Sequence, residues 1–100
     1  MNWGACCKGV NSTYNIRVGR SPNPSGPFVD RDGVDLAAGG GTLFLETHGP
    51  RIGPGHAGLY SERGTNWFSC HYYEGDNGGR PALGLARLVW TPDGWPALAP

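Results

Sequence analysis

The side chains able to do chemistry in this 100-residue sequence are few and scattered: eight carboxylates, three histidines and three cysteines. Hydrolysis by acid and base needs two carboxyls flanking the bond to be broken, one protonated and one ionised. Most of the acids here fall in turn segments, where a short acidic side chain serves as a solvated turn former. Glu74, just after an aromatic run, and Glu46 are the least turn-like, and they are the two candidate catalytic carboxylates. His56 closes the motif Gly53-Pro54-Gly55-His56. One histidine is not a metal site by itself, and its ordinary use would be a backbone hydrogen bond beside a glycine-rich strand. His71 stands among Trp67, Phe68, Tyr72 and Tyr73, which predicts a packed core histidine. Asn11-Ser12-Thr13 offers an amide and two hydroxyls to a polar ligand; strand entry and turn hydrogen bonds are the competing use. Cys6 and Cys7 are adjacent and Cys70 is alone. Neighbouring cysteines bridge only through a strained ring, so all three are expected reduced and mostly buried, which favours a reducing, cytoplasmic compartment.

Strands have to position these groups, because no window sustains helical periodicity before a glycine or proline interrupts it. Thr13 to Arg20 alternates, with Tyr14, Ile16 and Val18 on one face and Asn15 and Arg17 on the other. Further strands are expected at Phe28-Val29-Asp30, Thr42 to Leu45, Ala57 to Tyr60, Trp67 to Tyr73, Leu83 to Trp90 and Trp95 to Leu98. The turns between them are Asp32-Gly33, Glu62-Arg63-Gly64, Asp76-Asn77-Gly78-Gly79 and Pro92-Asp93-Gly94. A faint echo joins the two halves. Ile16-Arg17-Val18 leads through a turn to Gly26-Pro27-Phe28-Val29, as Leu85 to Val89 leads to Gly94-Trp95-Pro96. Strands repeated with tight turns are the pattern of stacked blades.

Composition narrows the function classes. Eight basic and eight acidic side chains cancel, and no basic stripe is present, which argues against a nucleic-acid surface. No apolar run approaches the roughly 20 residues of a membrane-spanning helix, and the first residues lack the pattern of a signal peptide. Glycine (18) and proline (9) are in excess, and they punctuate short apolar runs as in a turn-rich all-β chain.

Several segments, in order, carry a more specific message. Cys6-Cys7-Lys8-Gly9-Val10-Asn11-Ser12-Thr13-Tyr14 runs into Val18-Gly19-Arg20-Ser21 and Gly26-Pro27-Phe28-Val29-Asp30. Gly39-Gly40-Gly41-Thr42-Leu43 follows, then Gly53-Pro54-Gly55-His56-Ala57-Gly58, His71-Tyr72-Tyr73-Glu74 and Asp93-Gly94-Trp95-Pro96. From about Cys6 to Pro96 this resembles the C-terminal portion of endo-1,5-α-L-arabinanases of glycoside hydrolase family 43. The resemblance implies an all-β, partial five-bladed β-propeller of about one and a half to two blades. Residues 1–45 would match part of the fourth blade and residues 52–98 the fifth.

The family's chemistry is inverting hydrolysis of plant cell-wall arabinan or xylan by an Asp base, a Glu acid and a second Asp that tunes the acid. Inversion requires the working carboxyls to stand about 6.5–9.5 Å apart. The resemblance places all three upstream of the segment matching Cys6-Cys7, so none is carried over to this sequence. It does assign His56 a role in holding a calcium ion, through water, since calcium prefers oxygen. By their own amide and hydroxyl groups, Asn11, Ser12 and Thr13 are the residues expected to line a cleft for a plant cell-wall oligosaccharide. The match departs at Leu85-Ala86-Arg87-Leu88, where the family carries an Ile-Arg-Pro-Leu type run; a shift of one position puts the arginine on the other strand face. Two readings follow: a hydrolase whose site is completed between subunits, or a non-catalytic carbohydrate-binding or structural piece. Either way the open faces of isolated blades lead to an expected homo-oligomer.

Overall fold

The computed structural model describes residues 1–99. Seven strands form two antiparallel sheets, with three short 3₁₀ turns in the connections. In the first sheet β2 (Asn15–Val18) lies between β1 (Asn2–Trp3) and β3 (Thr42–Leu45). The second sheet runs in chain order: β4 (Arg51–Glu62), β5 (Thr65–Glu74), β6 (Arg80–Trp90) and β7 (Pro96–Leu98).

Local chemistry explains the turns. Arg63 and Gly64 both have positive φ (51° and 78°), the geometry a two-residue hairpin demands between β4 and β5. Gly78 and Gly79, at 65° and 80°, turn the chain from β5 into β6. Between β6 and β7 the Thr91 hydroxyl binds the Asp93 carboxylate and accepts the Trp95 N–H at 3.0 Å. The buried Trp95 is then covered by the guanidinium groups of Arg20 and Arg31, 4.4 and 4.9 Å from its ring centre. Arg31 also pairs with Asp93 at 3.0 Å, tying the 19–41 loop to the second sheet.

The two sheets meet face to face. Ile16 from the first and Phe68 and Cys70 from the second are buried together, with Phe44, Leu45, Leu88 and Leu98 packed around them. The rings of Phe44 and Phe68 are 5.3 Å apart and tilted, a favourable aromatic arrangement. Among the described residues no large side chain is fully enclosed. The core is a single layer.

Two expectations need correction. Phe28-Val29-Asp30 is not a strand: Val29 makes isolated bridges to Arg20 and Asp35, because the loop is organised by a carboxylate instead of by a ladder. Asp30 accepts the N–H groups of Asp32, Val34 and Gly41, each at 2.9 Å. The cysteines also depart from expectation. Cys6 and Cys7 are joined in a disulfide, and Cys7 is exposed with φ of 68°; Cys70 alone is free and buried. The bridge forms with Cys7 in left-handed backbone, against the expectation that ring strain keeps neighbouring cysteines apart. The expectation of a reducing compartment therefore draws no support from these two residues.

Asp30 yields a pH prediction. The Gly41 N–H, and after it that of Val34, hold its carboxyl below the usual value near 3.8, burial pulling the other way. A depressed native pKa means that the stabilisation is complete above the unfolded carboxylate pKa and is lost as pH falls through the native one. Thermal melts taken from about pH 5 down to about pH 2 should show a fall in Tm that is shallower in Asp30→Asn. Equal slopes would show that Asp30 carries no such linkage.

Candidate functional site

The sequence Gly53-Pro54-Gly55-His56 lies in β4, and its pairing with β5 is irregular on both sides of Gly55. Bulges of this kind turn side chains out of the regular alternation and are frequent beside active sites. Gly53 and His56 both adopt left-handed backbone, φ of 59° and 54°. Glycine is required twice here for space. A Cβ on Gly53 would approach the Ser12 Cβ to 2.7 Å, and one on Gly55 would run into the ring of Tyr14. The consequence is a flat, glycine-lined patch on which Ser12 and Tyr14 settle. The Gly53 N–H donates to the Thr47 hydroxyl at 3.0 Å and the Ala57 N–H to the Asn2 side chain at 3.2 Å, so the bulged backbone is satisfied by side chains.

Opposite Gly55 in the ladder stands His71. Its ring centre lies 6.0 Å from His56, 6.1 Å from Tyr14 and 5.6 Å from Tyr73, edge-on to the last. Its Nε2 atom is buried and has no hydrogen-bond partner. An unpaired buried polar atom costs about 1–3 kcal/mol, so this nitrogen calls for a water or a ligand group. His56 itself is exposed.

The 5–13 loop closes one side of the patch. The Thr13 N–H donates to the Ala5 carbonyl at 2.9 Å, and the Ala5 N–H returns to the Thr13 hydroxyl at 3.0 Å. Ser12 is buried and its hydroxyl accepts the Lys8 N–H at 2.8 Å. The Cys6 sulfur is 3.8 Å from the Tyr73 hydroxyl, setting the disulfide against the same cluster. Of the residues expected to bind substrate, Ser12 and Thr13 thus have hydroxyls engaged in shaping the loop, and Asn11 is exposed. All three lie on the histidine side.

The carboxylate candidates do not. Glu74 follows His71 by three positions on β5, which places it on the opposite face of the strand. Its carboxylate accepts the Asn77 amide N–H at 3.1 Å. Glu46 is exposed at the rim of a cleft of about 290 Å³ bordered by His48, Arg51, Cys70 and Tyr72, and Glu74 is not among that cleft's walls. Burial pushes the Cys70 thiol upward, with the Arg51 charge acting against it. The two carboxyls with a shifted range, Asp30 and Asp93, are both pushed down. For Asp93 the Thr91 hydroxyl is the main cause. Neither can stay protonated as a general acid must.

The side chains gathered here do not make a calcium site by themselves. His56 and His71 supply nitrogen, and among the described residues no group of three or more His, Cys, Asp or Glu side chains could hold a metal. Calcium takes six to eight oxygen ligands.

Residue types alone do not single out Tyr14 and His71. The signal was present: glycines at positions 53 and 55 mark where other groups approach the backbone closely. His71 reads as core because its neighbours are aromatic, yet it faces the glycine patch.

Two blade-like antiparallel sheets packed face to face, with a histidine–tyrosine cluster on a bulged, glycine-rich strand, define part of a β-propeller. The chain belongs to glycosyl hydrolase family 43, whose sequence profile matches residues 3–96. An extracellular endo-α-(1→5)-L-arabinanase of Bacillus subtilis is 35% identical over 97 residues, covering 97% of this chain and 29% of that protein. Among solved structures, an exo-1,5-α-L-arabinanase from a bovine ruminal metagenomic library superposes with a TM-score of 0.94. It is 41% identical, over 98% of this chain and 32% of its own. The Cellvibrio cellulosa α-L-arabinanase complexed with arabinohexaose gives a TM-score of 0.93 at 35% identity, over 98% of this chain and 31% of its own. These enzymes are five-bladed propellers, so the fold is a partial five-bladed propeller, as the resemblance implied. The chain spans roughly 30% of the length of these relatives.

Proposed function

We propose that this chain is the carbohydrate-contacting portion of an arabinan-directed glycoside hydrolase, that it binds arabino-oligosaccharide, and that it does not cleave it unaided. The observation that carries this reading is the separation of the two candidate groups. His56, His71 and Tyr14 cluster on the glycine-lined side of the second sheet, whereas Glu74 lies on the opposite strand face and Glu46 borders a different cleft. Neither candidate carboxylate therefore stands beside the histidines. The family's Asp, Asp and Glu belong, on this reading, to parts of the propeller other than these residues. Residues 1–45 are assigned to the fourth blade and 52–98 to the fifth. His56 contributes a water-mediated contact to a calcium ion whose oxygen ligands come from outside the described residues. Copies of the chain associate through open blade faces.

Titration calorimetry with arabinohexaose tests the binding. His56→Asn is the suitable variant, because asparagine tolerates the left-handed backbone that position requires. Loss of one hydrogen-bonding group should weaken affinity about tenfold. No binding to the parent chain, or equal binding by the variant, would remove the site from the histidine patch.

A further inference from the structure

Hydrogen bonds fix the 5–13 loop at both ends. Ala5 and Thr13 are tied in both directions, the Lys8 N–H donates to the Ser12 hydroxyl, and Asn11 and Ser12 donate to the carbonyls of Lys8 and Gly9 at 3.1 Å. Cys6 and Cys7, between them, make no backbone hydrogen bond among the described residues. Cys7 also stands in the left-handed region, φ of 68°, which a residue with a side chain occupies at a cost. What holds this dipeptide is the bond between its own sulfurs.

Beyond the dipeptide the loop is wedged. A Cβ on Gly79 would come within 3.1 Å of the Gly9 Cα and of the Val10 nitrogen, and one on Gly53 within 2.7 Å of the Ser12 Cβ. The loop thus sits between the β5–β6 turn and the bulge of β4. Its last residue leads into Tyr14, which lies on Gly55 near His71. On the other side the Cys6 sulfur rests 3.8 Å from the hydroxyl of the buried Tyr73, whose ring is edge-on to His71. The disulfide reaches the histidine cluster by two routes, through Tyr73 and through Ser12 and Tyr14.

We infer that the Cys6–Cys7 bridge is a redox switch on this patch, with arabino-oligosaccharide bound by the bridged form and held more weakly by the reduced one. The switch rests on the binding proposed above. A dithiol reductant supplies what the step needs. One of its thiolates attacks the sulfur of the exposed Cys7, and Cys6 leaves as a thiolate that takes up a proton. The second thiol of the reductant then displaces Cys7 from the mixed disulfide. The reductant ends as a disulfide, and the chain gains two electrons and two protons as two thiols. Two thiols need more room than a bonded pair of sulfurs, and Tyr73 blocks the Cys6 side. Cys7 is at the same time free to leave the left-handed region. Both changes turn the chain at Lys8 and shift Ser12 and Tyr14 from Gly53 and Gly55. Cys70 takes no part, since it is buried between the sheets.

Titration calorimetry with arabinohexaose, before and after treatment of the chain with dithiothreitol, tests the switch. Reduction should raise Kd about tenfold, as when only about a tenth of the molecules keep the competent loop, with an unchanged far-UV spectrum. Reoxidation should restore the affinity. Alkylation in non-reducing denaturant reports the state: one label on the bridged chain, at Cys70, and three after reduction. Cys6→Ser/Cys7→Ser should bind like the reduced parent and ignore the reductant. Three labels without reductant overturn the bridge and the switch with it. Equal affinities of forms carrying one and three labels overturn the switch and leave the proposed binding standing. No binding by either form overturns both. An effect of dithiothreitol that persists in Cys6→Ser/Cys7→Ser overturns the assignment to this bridge.

Discussion

Replacing Phe68 with alanine is expected to cost about 3–5 kcal/mol, as truncation of a buried aromatic does when the space left behind cannot collapse. Phe68 is 3% exposed and is the largest buried side chain of the cluster that joins the two sheets. Its ring meets Phe44 at 5.3 Å, so the substitution also removes the aromatic pair between them. Collapse is restricted on both sides. Ile16 and Leu45 are held by the β2–β3 ladder, and Leu88 and Leu98 are paired to each other across β6 and β7. For a chain of this size each kcal/mol moves the midpoint by about 4–8 °C, so Tm should fall by about 12 °C or more. Thermal or urea unfolding followed by circular dichroism measures it. A fall of only a few degrees would mean that the sheets are held together chiefly by the Trp95–Arg20–Arg31 contacts at the other end.

Gly55→Ala has the second largest expected effect, and it bears on the site. A Cβ at this position collides with the Tyr14 ring, which must leave the glycine patch and with it the neighbourhood of His71. Overpacking of this kind costs about 1–3 kcal/mol. Affinity for arabinohexaose should fall at least as far as in His56→Asn, because the whole cluster is disturbed. A double-mutant cycle separates the cause. In a Tyr14→Ala background the added methyl meets no ring, so Gly55→Ala should then be nearly neutral for stability. An undiminished cost in that background would show that Gly55 is needed for its backbone and not for clearance.

Much of the fold was legible because local signals agreed with one another. Thr42–Leu45 was read with its observed bounds, since a run of three glycines precedes it and four strand formers follow. The Arg63-Gly64 and Pro92-Asp93-Gly94 turns were equally plain. The strand β4 was not. Only Ala57 to Tyr60 reads as strand, yet the ladder begins at Arg51, across two glycines and a proline that sequence propensity assigns to a turn. What keeps them extended is tertiary: Pro54 sits in a bulge where no ladder bond is lost, and the glycines are demanded by Ser12 and Tyr14, which are distant in sequence. The two-residue strand β1 was missed for a related reason. Its pairing is reinforced by the terminal ammonium of Met1 donating to the Arg17 carbonyl at 2.7 Å, a contact without local pattern.

The candidate site divides in the same way. The motif singles out His56, and Asn11 to Thr13 lie on its side of the sheet. The relation of these residues to His71 and Tyr14 depends on the bulges around Gly55, which no residue spacing announces. Excluding turn segments singles out Glu74 and Glu46, a criterion blind to which face of a strand a residue takes. The alternation of β5 separates Glu74 from His71, and Glu46 borders the cleft on the other side.

The most direct test is an assay of the purified chain on linear α-1,5-arabinan, following new reducing ends over many hours beside a whole relative such as the Bacillus subtilis endo-arabinanase. Release by this chain no greater than in buffer, while arabinohexaose still binds, is the predicted result. Sustained release of arabino-oligosaccharides that is abolished by Glu74→Gln or Glu46→Gln would contradict it, because it would place a working carboxylate within these hundred residues.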